Sequence, residues 1–245
     1  TVILSAGKIF NLNQKKLINI CAAVECIHSY SLIHDDLPCM DNDSFRRGKP
    51  STHKKYGEAS AVLAGNSLLT LAFEIIADKK YVISPNQKNE LIEFLAFCSG
   101  HTGIAGGQEL DLKFENKKKS LNQILIMQTK KTGKLFNFCL YAVGVLAKKN
   151  NREKFFLSIL GEEIGLLFQL ADDFLDIKGN KKLVGKPINK DGKKGKSTLI
   201  NLMGYKKAYK YANNLKKKIL LKLKKHGKKA KDLSNTIEFI LGRNF

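Results

Sequence analysis

Apolar positions recur with helical spacing along almost the whole chain. The runs LINICAAVECIHSYSLI at 17–33 and ASAVLAGNSLLTLAFEIIA at 59–77 lack the strict alternation of a half-buried strand, and the pattern predicts two buried helices. Further helices are predicted near 86–104, 120–148, 152–177 and 198–225, separated by polar breaks such as SPNQ at 84–87 and GKPINKDGKKGK at 185–196. Three of the four prolines, Pro50, Pro85 and Pro187, fall in these breaks. No repeat of about 20–50 residues and no low-complexity linker divides the sequence. The expected architecture is one all-α domain with central helices apolar on most faces.

Composition adds bounds. The 245 residues suffice for one substantial core. Cys21, Cys26, Cys39, Cys98 and Cys139 are scattered, odd in number and without a C-x-x-C pair, which argues against a disulfide framework and a zinc cluster and favours a reducing cytoplasm. The apolar stretch LFNFCLYAVGVLA at 135–147 falls short of the roughly 20 residues that cross a bilayer, so no transmembrane segment is expected. The first residues, TVILSAG, have no basic region leading into an apolar core, so no signal peptide is expected, and opening directly on an apolar run points to a missing upstream segment.

The formal net charge of +21 raises the question of nucleic acid. Only Arg46, Arg47, Arg152 and Arg243 among the 43 basic residues are arginine, whereas nucleic-acid surfaces favour its planar fork. Lysine and asparagine abundance of this kind reads as codon bias, and no nucleic-acid partner is expected. Between Lys206 and Lys231 lie twelve lysines, with Ala208, Tyr211, Leu215, Ile219 and Leu223 at three- and four-residue steps. That pattern predicts an amphipathic helix with a solvated outer face, an acidic membrane surface being the alternative.

Against this basic background two acidic clusters stand out. HDDLPCMDND at 34–43 places four carboxylates within nine residues, Asp35 and Asp36 ending an apolar helix that Pro38 should break before Asp41 and Asp43. In QLADDFLD at 169–176, Asp172 and Asp176 share one helical face about a turn apart, beside Asp173 and behind the mostly apolar GEEIGLLFQLA. Unpaired charges in such surroundings are expensive to desolvate, so both clusters call for cations. Carboxylate and water ligation suits magnesium; the twelve-residue calcium loop of an EF-hand is absent. Arg46, Arg47 and Lys49 follow the first cluster, Lys186 and the GKST at 195–198 follow the second, and KTG lies between them at 131–133. Magnesium-binding acids ringed by cations describe a diphosphate site. GKKGKST is no Walker loop, since position 190 is Lys where the first Gly would stand.

DDLPCMDND with RRGKPSTH, GGQELDL at 106–112, KTG, and QLADDFLD with the later GKST resemble, in order and rough spacing, the short-chain trans-isoprenyl diphosphate synthases, above all the bacterial farnesyl type. The match runs from about residue 6 to the end, so the whole chain, 1–245, is read as one polyprenyl synthetase domain. The resemblance implies an all-α helical bundle around a deep central cavity, usually a homodimer, that condenses isopentenyl diphosphate with allylic diphosphates head to tail. It implies that Asp35, Asp41 and Asp172 hold magnesium, about three ions per site. Asp36, Asp173 and Asp176 support them, Asp36 and Asp176 as further ligands. Arg46, Lys131, Lys186 and Lys196 contact diphosphate. Arg47 and His28 belong to the isopentenyl diphosphate site, and Gln169, Lys131 and Thr132 face the developing carbocation.

Tyr30, five residues before Asp35 and next to Ser31, is expected below the metal ligands as the floor that stops elongation at fifteen carbons. The family's G-G-K-R-x-R-P segment, which grips isopentenyl diphosphate, is not matched by AGKIF at 6–10, and it is expected upstream together with a further N-terminal helix or two. Geranylgeranyl diphosphate synthesis, a non-catalytic regulatory subunit and a basic membrane or nucleic-acid binder are the competing readings. A terpene cyclase would have little use for Arg47 and His28 together.

Overall fold

The computed structural model describes residues 1–178 and 198–242. The chain runs through helices α1 (Val2–Ile9), α2 (Gln14–Asp35), α3 (Thr52–Tyr56), α4 (Glu58–Ala77), α5 (Pro85–Ser99), α6 (Ile104–Phe114), α7 (Leu121–Gln128), α8 (Lys134–Leu146) and α9 (Asn151–Lys178). After the segment outside the described residues come α10 (Leu199–Met203), α11 (Tyr205–Leu223) and α12 (Lys231–Gly242). Helix starts follow local chemistry. Ser84 and Gln87 form a capping box ahead of α5, with Pro85 in its first turn, and Ser120 and Gln123 do the same for α7.

Three predicted helices are interrupted. The one expected over 86–104 stops at Ser99, and Gly103 then caps the start of α6. The one over 120–148 follows a continuous path but widens into a π-helical turn at Thr129–Gly133 between α7 and α8. Gly204, at φ 80°, separates α10 from α11, and α11 ends at Leu223 ahead of a 3₁₀ run, Lys224–Ala230. Between α2 and α3 a minimal hairpin pairs Phe45–Arg46 with Lys49–Pro50.

The core centres on α8, whose Phe138, Leu140, Ala142 and Val143 are fully buried. It packs most extensively on α9, and also on α5, α1 and α2. Glycines let α8 and α9 come close: a Cβ on Gly161 would lie 2.3 Å from the Phe136 carbonyl oxygen, and one on Gly165 would lie 2.7 Å from the Gly133 Cα. The second large contact is α2 against α4, where Gly65 leaves room for the His34 ring, whose Nε2 lies 3.1 Å from the Val62 carbonyl.

Helix α4 departs from the expectation of a helix buried on most faces. Only Ala61, Gly65, Ala72 and Ile76 are buried, while Val62, Leu63 and Leu71 are exposed. A run apolar all round marks a helix with more than one apolar neighbour; it does not say whether those neighbours belong to the same chain. By length and composition α2 and α4 are each sufficient to cross a membrane, though α2 lines a polar cavity with Glu25, His28 and Asp35. Helix α11 buries Ala208, Ala212, Leu215, Ile219 and Leu223 and exposes Lys206, Lys210 and Lys217, so its basic face is solvated. Tyr211, expected on the inner stripe, is half-buried. Lys218 and Lys222 bind Glu163 of α9 at 2.9 and 2.7 Å.

Candidate active site

The first acidic wall is made where α2 ends. Pro38 has no N–H to continue the helix, and the chain folds back on it: the Asp41 N–H donates to the Asp35 carbonyl at 2.8 Å and the Asp43 N–H to the Asp36 carbonyl at 3.1 Å. Asn42 takes the left-handed conformation this requires, φ 49°. Asp35 and Asp41 are thereby brought to the rim of one cavity.

Asp36 turns elsewhere. It is 2% exposed, and its two oxygens accept from the Nε, at 3.2 Å, and the Nη2 of Arg46, which also lies 3.8 Å from Asp43 Oδ2. The hairpin delivers this arginine. Arg47 and Gly48 both have positive φ, 52° and 76°, as a two-residue type I′ turn demands. Arg46 therefore reaches the cavity, while Arg47 points its Nη2 at His28 Nε2, 3.3 Å away. A guanidinium only donates, so Nε2 accepts and the neutral ring carries its proton on Nδ1. Burial pushes the His28 pKa below its ordinary value, Glu25 opposes this, and Arg47 and Arg46 add to the lowering.

The second wall is one face of α9. Gln169, Asp172, Asp173 and Asp176 all line the same cavity as Asp35 and Asp41. Asp173 accepts from Gln169 Nε2 at 2.8 Å and from Gln128 Nε2 at 3.1 Å, while Gln169 Oε1 accepts from Thr132 Oγ1 at 2.8 Å. Lys131 and Thr132 come from the π-helical turn, and Lys131 Nζ binds Asp111 Oδ2 of α6 at 2.6 Å. That turn lies directly on α6: a Cβ on Gly107 would meet the Lys131 backbone nitrogen at 2.2 Å.

Between the walls is a cavity of about 470 Å³, within the ordinary size of a small-ligand pocket. Below the charged rim it is lined by Cys21, Val24, Leu135, Phe136, Cys139 and Phe168. Burial pushes the Cys139 thiol up to about 12, so it behaves as a small apolar group. Among the described residues no three carboxylate, imidazole or thiolate groups form a ready-made metal cage. Acids on two facing walls instead suit magnesium, which takes one or two carboxylates and completes its shell with water and substrate phosphate oxygens. The acids supply carboxylate oxygens, and burial raises the pKa of the Cys21 and Cys139 thiols in the same lining and keeps them protonated, a donor set that fits that hard cation.

Of the residues expected at the site, His28, Ser31, Asp35, Asp41, Arg46, Lys131, Thr132, Gln169, Asp172, Asp173 and Asp176 line this cavity. Lys186 and Lys196 lie outside the described residues. Asp36 grips Arg46 and is not part of the lining, and exposed Arg47 stands behind His28. Tyr30 is also absent from the wall: it is 8% exposed and edge-on to His34, ring centroids 5.5 Å apart. The reason is helical phase. Five residues turn a helix about 140° away from Asp35, whereas the four that separate Ser31 from Asp35 leave it only about 40° away. Gly107, Asp111 and Gln128 were not singled out from the sequence, although the first two sit in GGQELDL.

Among the described residues, α2 and α9 bring two sets of carboxylates onto one cavity that Arg46, Lys131 and several apolar side chains also line. A sequence profile of the polyprenyl synthetase family matches residues 1–238, and the chain belongs to that family. It is 39% identical to the farnesyl diphosphate synthase of Bacillus subtilis over 203 residues, 82% of this chain and 69% of that one. It is also 39% identical to the farnesyl diphosphate synthase of Escherichia coli, covering 99% of this chain and 83% of the relative. The fold superposes with a TM-score of 0.84 on the geranyltransferase of Helicobacter pylori complexed with magnesium and isoprenyl diphosphate, at 33% identity over 97% of this chain and 82% of that one.

Proposed function

We propose that the protein is a cytoplasmic farnesyl diphosphate synthase, condensing isopentenyl diphosphate with dimethylallyl and then geranyl diphosphate. The observation that carries this reading is the convergence of Asp35 and Asp41 from α2 with Asp172, Asp173 and Asp176 from α9 on one apolar-floored cavity. The names of the relatives at about 40% identity support the farnesyl product.

Magnesium, about three ions per site, supplies charge that stabilises the departing diphosphate. Asp35, Asp41 and Asp172 hold it, with Asp176 as a further ligand, and Asp36 acts one step back by fixing Arg46. Arg46 and Lys131 neutralise the phosphate oxygens as the allylic C–O bond breaks and diphosphate leaves with the bonding electrons. Asp111 holds the Lys131 ammonium at 2.6 Å beside the cavity that this lysine lines. Gln169 and Thr132 present oxygen dipoles toward the carbocation, and the apolar floor keeps water from it. The double bond of isopentenyl diphosphate, positioned at His28 and Arg47, attacks, and proton loss restores an alkene. Ser31, in the wall with Tyr30 packed behind it, sets the depth available to the growing chain.

The protein acts as a homodimer through the exposed apolar side chains Val62, Leu63 and Leu71 of α4. The test is incubation with magnesium, radiolabelled isopentenyl diphosphate and each allylic starter, followed by chromatography. A fifteen-carbon product supports the proposal, a twenty-carbon product transfers it to geranylgeranyl synthesis, and no product with any starter refutes prenyl transfer.

A further inference from the structure

Gln128 belongs to none of the motifs. It is the last residue of α7, 3% exposed, and its Nε2 donates to Asp173 Oδ2 at 3.1 Å. Its own Oε1 finds no hydrogen-bond partner among the described residues. A buried acceptor left unmatched is costly, and a methionine would fill the same length without that cost. Burial alone therefore does not explain an amide here; what the amide adds is a donor aimed at a carboxylate.

That donor is neutral. The two amides of Gln128 and Gln169 occupy both oxygens of Asp173, fixing its plane without contributing a positive charge that would cancel the acidity of the wall. A lysine in either place would compete with the metal for that charge.

The bond also joins two elements that the chemistry needs in register. Immediately after Gln128 comes the π-helical turn Thr129–Gly133, which carries Lys131 and Thr132 into the cavity. Two hydrogen-bond tethers thus run from this stretch to Asp173, one directly from Gln128 and one from Thr132 through Gln169.

We propose that Gln128 is a positioning residue, whose amide locks the acidic face of α9 to the turn bearing Lys131 so that both close on one magnesium diphosphate. This rests on the function proposed above. Outer-shell hydrogen bonds of this kind are worth about 10–100-fold in metal affinity.

The test uses Gln128→Met, which keeps the length and removes the donor, and Gln128→Asn, which withdraws the amide by one methylene. For each, magnesium is titrated against the thermal stabilisation given by inorganic diphosphate, and separately against the prenyl transfer rate. Both variants are expected to raise the magnesium midpoint about 10-fold or more in both titrations. If one variant fails to fold, the other carries the comparison. A ligand-free melting temperature that changes while the magnesium midpoint stays at the wild-type value marks a packing role only and overturns the proposal. A wild type that shows magnesium-dependent diphosphate stabilisation yet makes no prenyl product overturns the function and leaves the tether standing.

Discussion

Gly107→Ala tests how closely the site depends on backbone packing at a distance from the substrate. The added methyl would lie 2.2 Å from the Lys131 nitrogen, 2.5 Å from its Cα and 2.7 Å from the Lys130 carbonyl carbon. All three are backbone atoms, so no side-chain rotation relieves the overlap. Ordinary contact begins at 3.4 Å, and the π-helical turn has to retreat by roughly 1 Å, taking Lys131 and Thr132 with it. Overpacking of this kind costs about 1–3 kcal/mol of stability. In a chain of this length that lowers the melting temperature by about 2–4 °C for each kcal/mol. Displacing a catalytic group by about 1 Å costs on the order of 100-fold in rate. Calorimetry and steady-state prenyl transfer read the two effects, and the loss is expected in kcat, with the Asp35 and Asp41 side of the site intact. A variant that retains wild-type kcat despite the expected fall in melting temperature would refute the link between this contact and the placement of Lys131.

Asp36→Asn takes from Arg46 the nearer of its two buried anionic partners and leaves it Asp43 at 3.8 Å; about 1–3 kcal/mol of stability is expected to go with that charged hydrogen bond, together with a raised KM for the allylic diphosphate, and a wild-type KM would show that Arg46 does not depend on Asp36 as an anchor. The His28 ring has a folded pKa below 6.5, so between the folded value and 6.5 the unfolded chain binds the extra proton. Its contribution is fully present above about 6.5 and is lost as pH falls through the folded value, and in melting curves His28→Gln should remove that part of the slope. Ser31→Phe fills the cavity wall one turn below Asp35 and is expected to shorten the principal product, read by chromatography; an unchanged fifteen-carbon product would place the stop elsewhere.

Much of the site was legible because its acids break a strong local rule. Asp35, Asp172 and Asp176 stand in apolar helical stretches, where charge without a partner is costly, so their positions call for cationic partners. What stayed hidden depends on angle and distance. Asp36 stands next to Asp35 in sequence but about 100° around from it, and Arg46 claims it. Axial depth alone puts Tyr30 below Asp35, and helical phase takes it off the wall. The π-helical turn at Thr129–Gly133 leaves no mark in a stretch whose period reads as ordinary helix. Gln128 is one polar residue near the end of a helix until its partner 45 positions away is known. The exposed apolar face of α4 shows the same limit on a larger scale, because hydrophobicity does not name the neighbour.

The central claim is that the two acidic walls act on one magnesium diphosphate, and calorimetric titration of inorganic diphosphate tests it most directly. The account predicts tight binding only with magnesium present, lost alike in Asp35→Asn and in Asp172→Asn. Binding that needs no magnesium, or that survives the loss of either carboxylate, would contradict it.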